Sequence, residues 1–317
     1  MVIGLSLLVA LIVLAARQGA TQVLAQVELP LALAGFTAFV LNRLTTAYRL
    51  HLLARAADVP VTYRQVLRIV LVSEFLGTFI PSSVGVDVLN VLSLSKHAGN
   101  RTAPTSFVVI DRLAGLFATA STGLVAVALL TIWPVFHVEP VWIRLLTVMF
   151  AAIALITGAT LQPSVRALVL SVITRLPGHR IRSAMQEVYD AYYSLGRQGS
   201  VVGRVAAVAI LSQVIATFGV YGLSLSLGLT VPLTFYLLVL PLMGIILLLP
   251  VSVGGLGVEE GALAYLVVSA GAPQEQGLAL ALLYRFAWTL MSVPGGLLYL
   301  AGGLWPKTPA SLVDDRR

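Results

Sequence analysis

PSSVG at residues 81–85 and PVSVG at residues 250–254 each break a long apolar run, and an arginine follows each about thirty residues later, inside another apolar run. The two stretches decide the fold, because proline and glycine at membrane depth require irregular backbone that only protein or a watery cavity can satisfy. Pro81 and Pro250 are 169 positions apart, and at that offset Ser83, Val84 and Gly85 match Ser252, Val253 and Gly254. Further on, IDRLAG (110–115) and LYRFAW (283–288) match at an offset of 173, which sets Arg112 against Arg285.

The surrounding composition places these breaks in lipid. The chain has 317 residues, 58% hydrophobic and 10% charged, with a mean hydropathy of +0.96. A soluble domain carries about 25% charged residues, so this chain cannot cover a soluble surface. Apolar runs near the ~20 residues needed to cross a bilayer core recur along its length. The reading is one all-α polytopic membrane domain over 1–317. Residues 2–16, 29–53, 103–133, 140–161, 199–228 and 277–304 are expected to be six full spans. The first of them lacks a basic leader and an A-x-A cleavage site, so it is expected to remain as a span.

Residues 62–95 and 232–270 read as two re-entrant or broken helical hairpins. In each, an apolar helix meets the Pro/Gly break and continues as a shorter arm, VLNVLSLS in the first and the glutamate-bearing LGVEEGALAYLVVSAG in the second.

The net charge of +7 lies between apolar segments and does not point to nucleic acid. Arg49, Arg55, Arg64, Arg68, Lys96, Arg101, the arginines of 162–204 and Lys307, Arg316 and Arg317 fall on one side if the N-terminus is inside. The positive-inside rule then makes both termini cytoplasmic, in a cell membrane. With that topology the first hairpin enters from the cytoplasm and the second from outside. Residues 29–133 and 199–305 become two units of an inverted-topology repeat, a design that commonly sets a substrate site at the broken helices. The connector 162–198 carries Ile181, Met185, Val188, Tyr192 and Leu195 at helical spacing, with charges opposite. It is expected to be a cytoplasmic amphipathic helix, either on the leaflet surface or as a solvated linker.

Ionisable residues within apolar segments are costly, at roughly 2.5–3.5 kcal/mol each on insertion scales, and imply pairing or a wet cavity. Here they are Arg43, Glu74, Asp87, Asp111, Arg112, Glu259, Glu260 and Arg285. Asp111 and Arg112 point about 100° apart on a helix, so each needs a partner elsewhere. Arg43 could snorkel to the interface, and Glu74 could be a buried hydrogen-bonded acid. Arg112, Arg285, Asp87, Glu260, Asp111, Glu74 and Arg43 are the candidate substrate-binding residues. Pro81, Ser83, Gly85, Pro250, Ser252, Gly254, Gly255 and Gly257 are candidates for hinges or for a phosphate cradle. Backbone N–H groups at a helix start favour anions, and guanidinium matches phosphate geometry.

No metal-ligand spacing, nucleophile elbow, zinc-protease motif or Walker loop is present. No catalytic residue, metal or cofactor is therefore expected. There is no cysteine.

Several of these stretches resemble the transmembrane region of lysylphosphatidylglycerol synthases and its stand-alone, flippase-like relatives. FIPSSVGVDVLNVLSLSKHAG looks like that family's P-G-S-x-G-G-D-x-x-R segment, FVVIDRLAGL its V-x-x-D-R-x-x-G-L segment, and LLPVSVGGLGVEEGAL its P-x-S-x-G-G-L-G-x-R-E segment. ALLYRFAWTLMSVPGGLLYL looks like its closing arginine helix, so the likeness runs over about 30–305. Pro81, Gly85, Asp87, Asp111, Arg112, Gly254, Gly255, Gly257, Glu260 and Arg285 match motif positions. Val86, Asn90 and Glu259 depart from them, the last two where a basic residue is common.

The resemblance implies movement of a phospholipid or lipid-linked molecule between leaflets. It argues against aminoacyl transfer, which in the synthases belongs to a separate soluble domain. Arg112 and Arg285 would hold the headgroup alternately from the two sides, with Asp87 and Glu260 pairing with them in the empty state. Two other readings stay open: a non-catalytic membrane partner of a separately encoded lipid-modifying enzyme, and an intramembrane transferase or hydrolase using Glu74, Asp87 or Glu260.

Overall fold

The computed structural model describes residues 2–80, 84–132, 140–247 and 256–302. The described residues form thirteen helices and no strand. They are α1 (Val2–Arg17), α2 (Ala20–Ala25), α3 (Leu29–Ala56), α4 (Tyr63–Gly77), α5 (Val84–Ala98), α6 (Thr102–Ile132), α7 (Pro140–Thr160), α8 (Pro163–Thr174), α9 (His179–Gly196), α10 (Gly199–Ser226), α11 (Leu233–Leu247), α12 (Val258–Ser269) and α13 (Gln274–Gly302).

Five of them, α3, α6, α7, α10 and α13, are long and apolar enough to cross a membrane. The expected sixth span is α1, whose 16 residues rise about 24 Å, short of a ~30 Å hydrocarbon core. Its neighbour α2 follows a turn at Gly19, held at φ 80°; α1 packs beside α12 and α13, and α2 beside α13.

Helices α3 to α6 have 28, 15, 15 and 31 residues, and α10 to α13 have 28, 15, 12 and 29. The bounds of α10 and α11 each lie 170 positions after those of α3 and α4: Leu29 to Gly199, Ala56 to Ser226, Tyr63 to Leu233, Gly77 to Leu247. Local signals explain the boundaries. Pro30 opens α3, and Thr62 and Gln65 close a capping box on α4, satisfying N–H groups at the helix start reciprocally. Pro241 and Pro294 lie inside α11 and α13, where neighbouring membrane helices tolerate them.

The most extensive helix pairing, α3 with α10, is made by small residues. A Cβ on Gly35 would stand 2.8 Å from the Gly219 carbonyl oxygen and 2.8 Å from the Leu223 nitrogen. Further along α3, the Asn42 side-chain amide donates to the Ser212 carbonyl at 2.8 Å, and the Ser212 hydroxyl meets Thr45 at 2.8 Å. The partner number falls as the α3 number rises, so α3 and α10 are antiparallel. Asn42 and Ser212 are themselves 170 positions apart, so the helices cross at matching residues. The shorter helices are exchanged between the halves: α4 packs on α13, and α11 on α6.

Apolar side chains collect in two clusters. One joins Ala47, Leu53, Val66, Leu94, Phe107 and Tyr192. The other joins Phe39, Leu146, Leu223, Tyr236, Leu263 and Tyr284.

The connector holds more than the helix expected around residues 180–197. It is two helices, α8 and α9, separated at Pro177 and at Gly178, which sits at φ 88° where a side chain is strained. Tyr192 and Leu195 are buried, the Tyr189 hydroxyl donates to the Thr160 carbonyl at 2.9 Å, and the Thr102 hydroxyl donates to Glu187 at 3.0 Å. The C-terminal half of α9 is therefore docked on α6 and α7, while Ile181 and Met185 of the same apolar stripe are exposed.

Candidate functional site

The interior charges are all in contact with an opposite charge, and the contacts join different helices. Asp87, in the first turn of α5, accepts from Arg112 Nε on α6 at 2.5 Å. On α6 the preceding residue, Asp111, takes a bidentate grip from Arg49 of α3, Nε to Oδ1 at 2.5 Å and Nη2 to Oδ2 at 2.9 Å. The neighbours Asp111 and Arg112 thus turn to separate partners, as adjacent helical positions must.

In the second half, Arg285 of α13 donates from Nε to Glu260 and from Nη2 to Glu259 at 3.2 Å, both in the first turn of α12. Glu260 is fully buried, and its other oxygen accepts the Gly257 N–H at 2.7 Å. Gly257, at φ 77°, holds a conformation that L side chains rarely adopt, and this turns its N–H back onto the glutamate three residues on. Carboxylates in the first turns of α5 and α12 also sit at the positive end of each helix dipole. Asp87 to Arg112 and Glu260 to Arg285 are each 25 residues apart.

A fourth arginine ties the halves together. Arg43 Nη1 of α3 meets Glu74 Oε1 of α4 at 2.5 Å, with its guanidinium 4.0 Å over the Trp288 ring of α13. Trp288 lies edge-on to Tyr284 at 6.1 Å, and the Tyr284 hydroxyl donates to Glu259 at 2.7 Å. A continuous path of cation–π, ring and hydrogen-bond contacts therefore runs from Glu74 to Glu260.

The two matched pairs are unequal in exposure. The Arg112 side chain is 49% exposed, whereas Arg285 is 19% and Glu260 0%. In total five carboxylates (Glu74, Asp87, Asp111, Glu259, Glu260) face four guanidiniums (Arg43, Arg49, Arg112, Arg285).

Pro81, Ser83, Pro250, Ser252, Gly254 and Gly255 lie outside the described residues. Gly85 is described: a Cβ there would come within 2.5 Å of the Ile80 side chain, and one on Gly77 within 2.3 Å of Val86. Small residues at both positions let α4 and α5 close on each other. The N–H of Gly257, a candidate phosphate donor, is occupied by Glu260, so a phosphate there would have to displace that carboxylate.

Arg49, Glu259, Tyr284 and Trp288 complete the network and were not among the candidate site residues. Arg49 was read as an interfacial charge, because Arg55, Arg64 and Arg68 follow it. The unmet need of Asp111 for a partner was the available signal. Among the described residues no cluster of histidines and carboxylates could hold a metal ion.

Long apolar helices, paired interior charges and small-residue crossings define a multi-pass helical membrane protein with an ionic interior. The family model for the lysylphosphatidylglycerol synthase transmembrane region matches residues 1–296. The chain belongs to that family. No characterised protein and no solved structure matched it.

Proposed function

We propose that this protein moves a phospholipid or lipid-linked molecule between leaflets, using the Asp87–Arg112 and Glu260–Arg285 pairs as alternate headgroup sites. The observation that carries this reading is the repetition. Two acid–arginine pairs with the same 25-residue separation stand at the starts of α5 and α12. The two long helices that open the matching segments, α3 and α10, cross antiparallel at matching residues, Asn42 and Ser212.

Equivalent helices running antiparallel are what a two-fold axis in the membrane plane produces, so we take residues 29–133 and 199–305 as inverted repeat units. The pairs α4–α5 and α11–α12 are then re-entrant hairpins entering from opposite faces. In support, 15-residue arms reach only about 22 Å. The ends of α10, α11, α12 and α13 also meet around one cavity, lined by Thr230, Pro232, Gly271 and Gln276.

The unequal exposure of the two pairs fits one site open and the other shut. A phosphate would enter by replacing Asp87 on Arg112 with two charge-assisted hydrogen bonds. The excess of one carboxylate over the guanidiniums suits a headgroup that carries an amine as well as a phosphate. We read the protein as a carrier and not an enzyme, because each interior carboxylate is engaged by a guanidinium. Both termini are assigned to the cytoplasm from the distribution of lysine and arginine.

The test is leaflet exchange of fluorescent phospholipids in proteoliposomes. Exchange by the wild type, lost in both Arg112→Gln and the double variant Glu260→Gln/Arg285→Gln while both remain folded, is the expected result. Exchange at the wild-type rate in either variant overturns the assignment. Co-purification of a stoichiometric enzyme, with no exchange by the isolated protein over a headgroup panel, would favour the partner-protein reading. In that role the exposed Leu168, Val172, Ile181 and Met185 of α8 and α9 would be the contact surface.

A further inference from the structure

We propose that the groove between α4 and α13 is a binding site for one anionic phospholipid, separate from the interior pairs. The groove, about 370 Å³, is lined by Arg64, Gln65, Leu67, Arg68, Leu71 and Leu298. Arg64 and Arg68 lie four residues apart, on one face of α4 near its start, and Leu67 and Leu71 run down the adjoining face. Along α4 the groove therefore passes from guanidiniums near the helix start to leucine further on, the order in which a phospholipid presents phosphate and acyl chain.

The arginines are differently placed. Arg68 Nη2 donates to the Leu298 carbonyl at 3.1 Å, near the end of α13. A Cβ on Gly302 would lie 2.6 Å from that same nitrogen, so a small residue there makes room for the guanidinium. Arg68 Nε is buried and has no hydrogen-bond partner among the described residues. Arg64 is exposed and makes no hydrogen bond or ion pair among the described residues. An exposed, unpaired cation at Arg64 beside a second guanidinium leaves the groove complementary to an anion, while its walls fit hydrocarbon. The outward-facing Leu297 and Leu300 of α13 continue the apolar surface beside it.

The feature is one-sided. The positions 170 residues after Arg64 and Arg68, where α11 follows α4, are Thr234 and Leu238. The basic groove is thus not part of what the two halves share, and it stands only where the start of α4 meets the end of α13. Its occupant is a lipid of that one leaflet. The inference requires that the protein lie in a membrane, but not that it move lipid.

The test is retention of phosphatidylglycerol against phosphatidylcholine by the purified full-length protein, read by native mass spectrometry with either lipid added in detergent. Wild type is expected to retain one phosphatidylglycerol in preference to phosphatidylcholine. Removing one cation near a lipid surface weakens binding ~5-fold, so Arg64→Gln should lose about that factor and Arg64→Glu distinctly more. Both changes are at an exposed, unpartnered position, so the fold should hold. Arg175→Gln, which removes an exposed cation outside both the groove and the interior pairs, should retain phosphatidylglycerol as wild type does, and the readout needs no leaflet exchange, which separates this site from the translocation reading. Equal retention of both lipids, a preference unaltered in Arg64→Glu, displacement of the lipid by inorganic phosphate, or the same loss of preference in Arg175→Gln would each overturn the proposal.

Discussion

Removing Arg285 should destabilise the protein far more than removing Arg112, although the two hold matching places in their halves. Glu260 has no exposed surface and, among the described residues, two partners, Arg285 Nε and the Gly257 N–H. Without the guanidinium, the described residues leave its carboxylate one backbone donor and leave Glu259 the Tyr284 hydroxyl. Breaking a buried ion pair from one side costs about 3–5 kcal/mol, because the remaining charge is left uncompensated. That is roughly two to four orders of magnitude in the folded-to-unfolded ratio.

The side chain of Arg112 is half exposed, and exposed pairs are worth about 0.2–1 kcal/mol. The assay is equilibrium unfolding in mixed detergent micelles of Arg285→Ala, Arg112→Ala and Glu260→Gln/Arg285→Gln. The double variant removes both charges and should recover most of the loss, since neutral replacement of a buried pair is often near neutral. Equal losses in the two single variants, or a double variant as unstable as Arg285→Ala, would refute the reasoning.

Two further outcomes are expected. Gly35→Ala should cost about 1–3 kcal/mol by forcing α3 off the backbone of α10, whereas Gly158→Ala on α7, with open space around it, should not destabilise; thermal unfolding of the two compares them directly. Thr62→Ala removes the capping box of α4 and should cost about 1 kcal/mol in the same measurement, with loss of amide-exchange protection concentrated in the first turn of α4.

Much of the architecture was legible because the lipid environment punishes ambiguity. Apolar runs gave α3, α6, α7, α10 and α13 to within a few residues, and α4 and α11 end where the Pro/Gly breaks approach. Interior charges stood out against their apolar neighbours, which is why Asp87, Arg112, Glu260 and Arg285 could be singled out. What stayed hidden depended on distance in three dimensions. Arg49 belongs to a helix that runs on to Ala56, but its sequence neighbours look like a basic loop. Tyr284 and Trp288 read as ordinary membrane aromatics until Glu259 and Arg43 come to meet them. The stripe through Ile181 and Leu195 has one periodicity, yet half of it is covered by α6 and α7 and half is not.

The exchange of short helices between the halves sets a timetable for biosynthesis. Helix α4 ends at residue 77, while α13, which covers it, begins at residue 274, 197 positions later. At about 5–20 residues per second, a ribosome needs on the order of 10–40 s to supply that cover. Throughout that interval Arg43 and Glu74 can already hold each other, but Trp288, the ring beneath them, has not yet been made. The nascent first half must therefore wait in the bilayer with one flank unfinished, against lipid or an insertion chaperone, and the molecule is completed from its last helix backwards.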